Sequence, residues 1–193
     1  MYEKSHTTIS HILDAAQEAF VTHNYEDITL TAIASEANVT KGAIYHHFKN
    51  KEDLFFQMML RHLDSLQHLL QQAVETKGSS RERLAQLTIL FLGQPLEAQR
   101  VIQLVRRDTN RFTTETRQKL IIAYQNALPN QIETIIADGI AAHEIVAADA
   151  RLMTWHFIAI VEVYLHEYAR KQFDDVTEMV NHLVSLFFYG VNK

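Results

Sequence analysis

The sequence has no cysteine, two prolines and five glycines in 193 residues. Without cysteine there are no disulfide staples, thiolate metal sites or cysteine nucleophile, which fits a reducing compartment. So few glycines and prolines leave little material for the many tight turns of a sheet protein. No run of about 18 apolar residues escapes a charge, so no membrane-crossing helix is expected. The opening stretch Met1-Tyr2-Glu3-Lys4-Ser5-His6 is polar and does not have the form of a secretion signal. Together these absences predict an all-helical, cytoplasmic chain. Its 47% hydrophobic content suffices for a packed core.

Basic charge is also in deficit. Eighteen Lys and Arg stand against 23 Asp and Glu, a net charge of −5. This excludes a uniformly basic protein that coats phosphate by bulk electrostatics. Residues 1–53 hold four basic and eight acidic side chains, so even that segment is −4. Within it, however, residues 38–51 carry Lys41, Lys49 and Lys51, two histidines and no acid. Any contact with nucleic acid is therefore local, with few lysine–phosphate pairs and a shallow salt dependence.

Helical periodicity runs through the chain. Ile9, Ile12, Leu13, Ala16, Ala19 and Phe20 form one stripe. Thr29 suits the N-cap of a short helix over 30–37, Thr40 that of another over 41–47, and Asn50 that of a long one reaching about Thr76. Between the first two of these, Asn38-Val39 predicts a tight turn, because asparagine tolerates the left-handed conformation. Beyond the Lys77-Gly78-Ser79-Ser80 linker, helices are predicted over 82–92, 96–107, 113–138 with a kink at Pro129, 150–171 and 176–189. The expected architecture has about nine helices: an N-terminal three-helix domain over 1–53 and a larger helical domain over 54–193.

Two short helices joined by a tight turn are the helix-turn-helix pattern. Ile44 and Phe48 are the expected inner anchors of the second helix. Its outward residues are Lys41, Ala43, Tyr45 and His46; the lysine ammonium, the tyrosine hydroxyl and free helix N-terminal amides are donors suited to phosphate oxygens. Gly42 lets another surface approach the backbone.

The run Thr29-Leu30…Ile33-Ala34…Ala37-Asn38-Val39-Thr40-Lys41-Gly42-Ala43-Ile44-Tyr45-His46-His47-Phe48-Lys49-Asn50-Lys51-Glu52-Asp53-Leu54, with Ile12, Ala16, Phe20 and Tyr25 before it, resembles the DNA-binding domain of TetR-family transcriptional regulators. The resemblance covers residues 9–57. It implies that Thr40, Lys41, Gly42 and Ala43 open a recognition helix facing the major groove. Tyr45 and His46 would reach phosphate or base edges, His47 the nearby backbone, and Lys51 a phosphate, while Thr29 caps the preceding helix. Three positions depart from the family pattern. Asn38 stands where glycine is frequent, Ile28 where threonine is common, and Ala43 can touch a thymine methyl but cannot hydrogen-bond a base.

The resemblance further implies a homodimeric, ligand-responsive regulator, most often a repressor, acting on a palindromic operator. In the larger domain, Met58, His62, Phe91, Phe112, Tyr124, Trp155, His156 and Tyr164 are candidate linings for a small-molecule effector of unknown identity. The cluster Arg106-Arg107-Asp108…Arg111 suits either an anionic ligand or structural ion pairs. The last two predicted helices are apolar on more than one face, which suggests a four-helix dimer contact through Phe157, Val161, Val180, Val184, Phe187 and Phe188.

Eleven histidines raise the question of a metal or haem. Glu162 and His166, a pair at metal spacing, read more simply as a surface pair. There is no HExxH, nucleophile elbow, phosphate loop or dinucleotide fingerprint. The expectation is a non-enzyme with no cofactor and no resident metal. A helical small-molecule or haem sensor without sequence-specific DNA binding is the alternative.

Overall fold

A computed structural model describes residues 2–190; the side chains of residues 2–5 and of Arg106 lie outside it. All regular structure among the described residues is helical. The order is α1 (Tyr2–Thr22), a 3-10 turn (Tyr25–Asp27), α2 (Leu30–Glu36), α3 (Lys41–His47), α4 (Lys51–Glu75), α5 (Ser80–Leu92) and α6 (Leu96–Asp108). A second 3-10 turn (Thr109–Arg111), α7 (Thr114–Ala127), α8 (Pro129–Ala141), α9 (Ala150–Val163), α10 (Glu167–Arg170) and α11 (Val176–Tyr189) follow.

Among the described residues there are eleven α-helices where about nine were expected, because two of the predicted helices are each divided. Pro129 does more than kink its helix. Leu128 leaves helical geometry at φ −132°, ψ −66°, and Pro129 opens α8 at a first-turn position, where its missing N–H costs nothing. The predicted helix 150–171 stops at Val163, and three tight turns separate it from α10.

The chain packs as two compact units. One comprises the residues up to Leu63 together with Leu96–Ala123; the other comprises Asp64–Pro95 and everything from Tyr124 onward. Helix α6 packs on α1 and so joins the first unit. That unit closes over Ile12, Ala16, Phe20, Ile33, Ile44, Phe48, Leu54 and Phe55, all 1% exposed or less. Burial of a large apolar side chain stabilises by about 1.5–3 kcal/mol, so these residues hold the two 7-residue helices α2 and α3, which could not persist alone.

In the second unit α5 packs on α8 and α11, and α9 packs on both of these. The start of α5 is fixed twice. Ser79 and Glu82 form a capping box, and the Ser80 N–H and hydroxyl both donate to Glu144, 2.5 and 2.6 Å away. Those bonds hold the Glu144 carboxyl below its usual range. Gly139 allows α8 to approach here, since an added Cβ would fall within the Ser80 side chain.

Candidate nucleic-acid interface

Helix α2 is capped by Thr29, whose hydroxyl accepts from the Ala32 N–H at 3.1 Å. Its other end closes in a Schellman turn: Val39 N–H donates to Ala34 O (2.9 Å) and Asn38 N–H to Ser35 O (3.1 Å). Asn38 takes the left-handed position at φ +54°, as the turn requires. Two residues later Thr40 caps α3 by accepting from the Ala43 N–H at 3.1 Å. A 7-residue helix thus begins at a fixed angle to α2.

Ile44 (0% exposed) and Phe48 (1%) anchor α3 inward. Thr40, Lys41, Gly42, Tyr45 and His46 are exposed, while Ala43 and His47 are half-buried. The Lys41 ammonium lies 5.8 Å from the Tyr45 ring centroid, so cation and phenol share one patch. A Cβ added at Gly42 would meet only the Thr40 Oγ1, at 3.7 Å. Nothing within the chain requires glycine there, although glycine weakens a helix by up to about 1 kcal/mol. The residue makes sense where an outside surface comes close to the backbone.

The loop after α3 is held by Asp53. Its N–H donates to Asn50 Oδ1 (2.8 Å), and its carboxylate accepts from the Lys49 N–H (2.8 Å) and from Gln57 (3.0 Å). Lys49 is thereby presented, exposed, beside α3.

Lys51 behaves differently from the phosphate contact expected of it. Its ammonium turns inward, donating to the carbonyls of Tyr25 (2.7 Å) and Ile28 (2.8 Å), with Glu26 O at 3.5 Å. It also lies 4.4 Å from the Tyr25 ring centroid. The physical reason is that a 3-10 turn of three residues leaves its carbonyls without helical partners, and a cation on the adjoining helix end satisfies them. Burial, then the nearby Glu52 and Asp108 charges, push the Tyr25 phenol up to about 12.

The arginine cluster consists of structural pairs within the first unit. Arg107 donates to the carbonyls of Phe20 (2.9 Å) and His23 (3.2 Å) at the end of α1. Asp108, only 1% exposed, accepts from Arg107 and neighbours Arg111, which also pairs with Glu26. The Arg106 side chain lies outside the described ones.

The candidate effector residues fall into separate environments. Phe112 packs against Tyr25 and Phe55, with ring centroids 5.1 and 4.8 Å away. Met58 is fully buried in the same unit. His62, also in that unit, is largely buried; its desolvation and the Arg61 charge bring the imidazole down to about 4. In the second unit Phe91, Tyr124 and Tyr164 are buried, and Tyr164 packs against Phe173 and His182. Trp155 and His156 lie on the outside of α9. Among the described residues no cluster of three or more His, Asp or Glu is placed to hold a metal ion, and no helix is long and apolar enough to cross a membrane.

The candidate dimer residues are likewise divided. Phe157, Val161, Val180 and Val184 are consumed in the unit's own core, while Phe187 and Phe188 are half-buried. Sequence reasoning missed the apolar residues that α9 turns outward: Leu152, Ala159 and Val163, in line with Trp155. A helix apolar on all sides gives no phase, so periodicity could not separate its two faces. The inward bonds of Lys51 and the Lys49 N–H bond to Asp53 were missed too.

Comparison with known proteins agrees with this geometry. Residues 12–58 match the model of the domain described as bacterial regulatory proteins, tetR family. The fatty acid metabolism regulator protein of Bacillus subtilis is 26% identical over 187 residues, 94% of each chain. The same fold occurs in a transcriptional regulator FadR from Bacillus subtilis, crystallised with stearoyl-CoA (TM-score 0.75, 23% identity, 95% of this chain and 99% of that one). It occurs also in AibR, crystallised with isovaleryl coenzyme A and operator DNA (TM-score 0.77, 20% identity, 94% and 98%). The recognition helix, its caps and its anchors all lie inside the matched segment, so residues 12–58 form a domain of the bacterial regulatory proteins of the tetR family.

Proposed function

We propose that the protein is a homodimeric repressor that leaves a pseudo-palindromic operator when a small molecule binds. Residues 1–53 read DNA, with Thr40, Lys41, Gly42, Ala43, Tyr45, His46 and His47 toward the duplex and Thr29 fixing α2 behind them. Residues 54–193 dimerise and receive the effector. In such a dimer the two recognition helices lie about 34–36 Å apart, one turn of DNA.

The observation that carries the dimer is the outer face of α9. Leu152 and Val163 are each 56% exposed and Trp155 40%, spaced with Ala159 as one helical stripe. Exposed apolar stripes of this kind mark interaction surfaces. The dimer contact is therefore assigned to this face and to Phe188 and Tyr189 of α11, in place of the four residues already buried.

An acyl-CoA thioester is the effector class best supported, because two proteins of the same fold were crystallised with one. Its contacts are assigned to the buried aromatics Phe91, Tyr124 and Tyr164. The ligand must bind the released state more tightly; tenfold release requires a coupling of only about 1.4 kcal/mol.

Light scattering on the purified chain, followed by titration of its DNA complex, tests this reading. A dimer mass that falls to monomer in Trp155→Arg, with release by stearoyl-CoA or isovaleryl-CoA but not by coenzyme A alone, is the expected result. A monomeric wild type, or release by none of the thioesters, contradicts the corresponding part.

A further inference from the structure

The corner between α6 and α7 is built into the DNA-binding head, although it contributes nothing to the exposed face of α3. Three kinds of bond join it there. Arg107 caps the carbonyl end of α1 through Phe20 O and His23 O. At the opposite polarity, Glu52 in the first turn of α4 accepts from both the N–H (3.2 Å) and the hydroxyl (3.0 Å) of Thr113, which precedes α7. Carboxylate at a helix start and guanidinium at a helix end are both favourable placements. Between these two, Phe112 inserts beside Tyr25 and Phe55, and Arg111 pairs with Glu26.

Two of these contacts, Phe112 with Tyr25 and Arg111 with Glu26, fall on the 3-10 turn Tyr25–Asp27 itself, which Lys51 also holds through Tyr25 O and the following Ile28 O. That turn runs through Ile28 into Thr29, the cap of α2, and α2 packs on α3. We propose that the corner Arg107–Thr113 and Lys51 are a paired clamp on this turn, acting as positioning residues that set operator affinity without touching DNA. The clamp holds α2 and α3 in the orientation that fits the groove. Without it the head samples other orientations, and apparent affinity falls by the competent fraction. Because α7 starts next to Thr113, a shift of its first turn reaches Glu52 and Phe112 directly, which gives effector binding a route to the recognition helix besides α4.

The proposal rests on DNA binding by α3, and its test separates the two. Full-length wild type, Lys51→Met, Arg111→Met and Thr113→Val are titrated by fluorescence anisotropy against a duplex selected from the chain's own upstream region, between 50 and 200 mM salt. Thermal unfolding is recorded for each. The clamp predicts that variants which melt as cooperatively as wild type bind roughly tenfold more weakly at every salt, with the wild-type slope of log affinity against log salt. Removing a lysine that neutralises a phosphate would instead flatten the slope by about 0.9 per phosphate. Wild-type affinity in Arg111→Met and Thr113→Val, or a flattened slope in Lys51→Met, overturns the proposal. Should Lys51→Met fail to fold, the two corner variants decide. Failure of wild type to bind any selected duplex contradicts the DNA-binding reading, and the clamp falls with it.

Discussion

The Val39 N–H reaches the Ala34 carbonyl at 2.9 Å by passing around Asn38, whose φ is +54°. The angle between the two short helices depends on that bond, and the bond depends on a residue that accepts left-handed geometry. Glycine accepts it freely, asparagine at small cost, and a side chain without local hydrogen bonding at about 1–2 kcal/mol. Asn38→Gly is therefore expected to leave the urea midpoint near wild type, whereas Asn38→Ala lowers stability by about 1 kcal/mol. Equal midpoints for the two variants would show that the turn is not the source of the constraint.

Gly42 separates stability from recognition. A methyl group fits at this position and improves helix propensity, so Gly42→Ala should raise stability by up to about 1 kcal/mol. The same methyl group occupies the space left for a close-lying duplex, so DNA affinity should fall while the melting temperature rises. A variant with both quantities unchanged would remove the reason given for glycine here.

His62 gives the fold a pH dependence with a definite window. Its imidazole ordinarily takes a proton near 6.5, but burial and Arg61 bring it down to about 4 in the folded chain. Between these values the unfolded chain binds the extra proton, so stability is complete above pH 6.5 and declines as pH falls towards 4. The loss by pH 4 is about 3 kcal/mol. Urea unfolding of wild type and His62→Leu at a series of pH values checks this. The decline between about pH 6.5 and 4.5 should be shallower in the variant, and parallel curves would contradict the assignment.

Much of this molecule was legible in local chemistry. The caps at Thr29, Thr40 and Asn50 are side-chain rules over three residues, and each is observed. So are the inward anchors Ile44 and Phe48 and the outward Tyr45. What escaped depends on distant partners. Nothing near Lys51 announces that carbonyls 23–26 residues earlier will receive its ammonium. The break after Val163 has no glycine or proline to mark it, and packing of Tyr164 against Phe173 overrides a continuous helical pattern. On α9, apolar residues on every side concealed which face the core would take.

A chain of net charge −5 must bind DNA through a small, local set of contacts, and that is the central claim. With the Lys51 ammonium turned inward, Lys41 and Lys49 are the exposed lysines of residues 38–51, or four such lysines in a dimer. The direct measurement is wild-type affinity for its selected duplex as a function of salt, beside Lys41→Ala. A slope of about −4, reduced to about −2 in the variant, is the predicted result. A slope on the order of −10, or wild type binding the duplex no better than Lys41→Ala at about 50 mM salt, would contradict it.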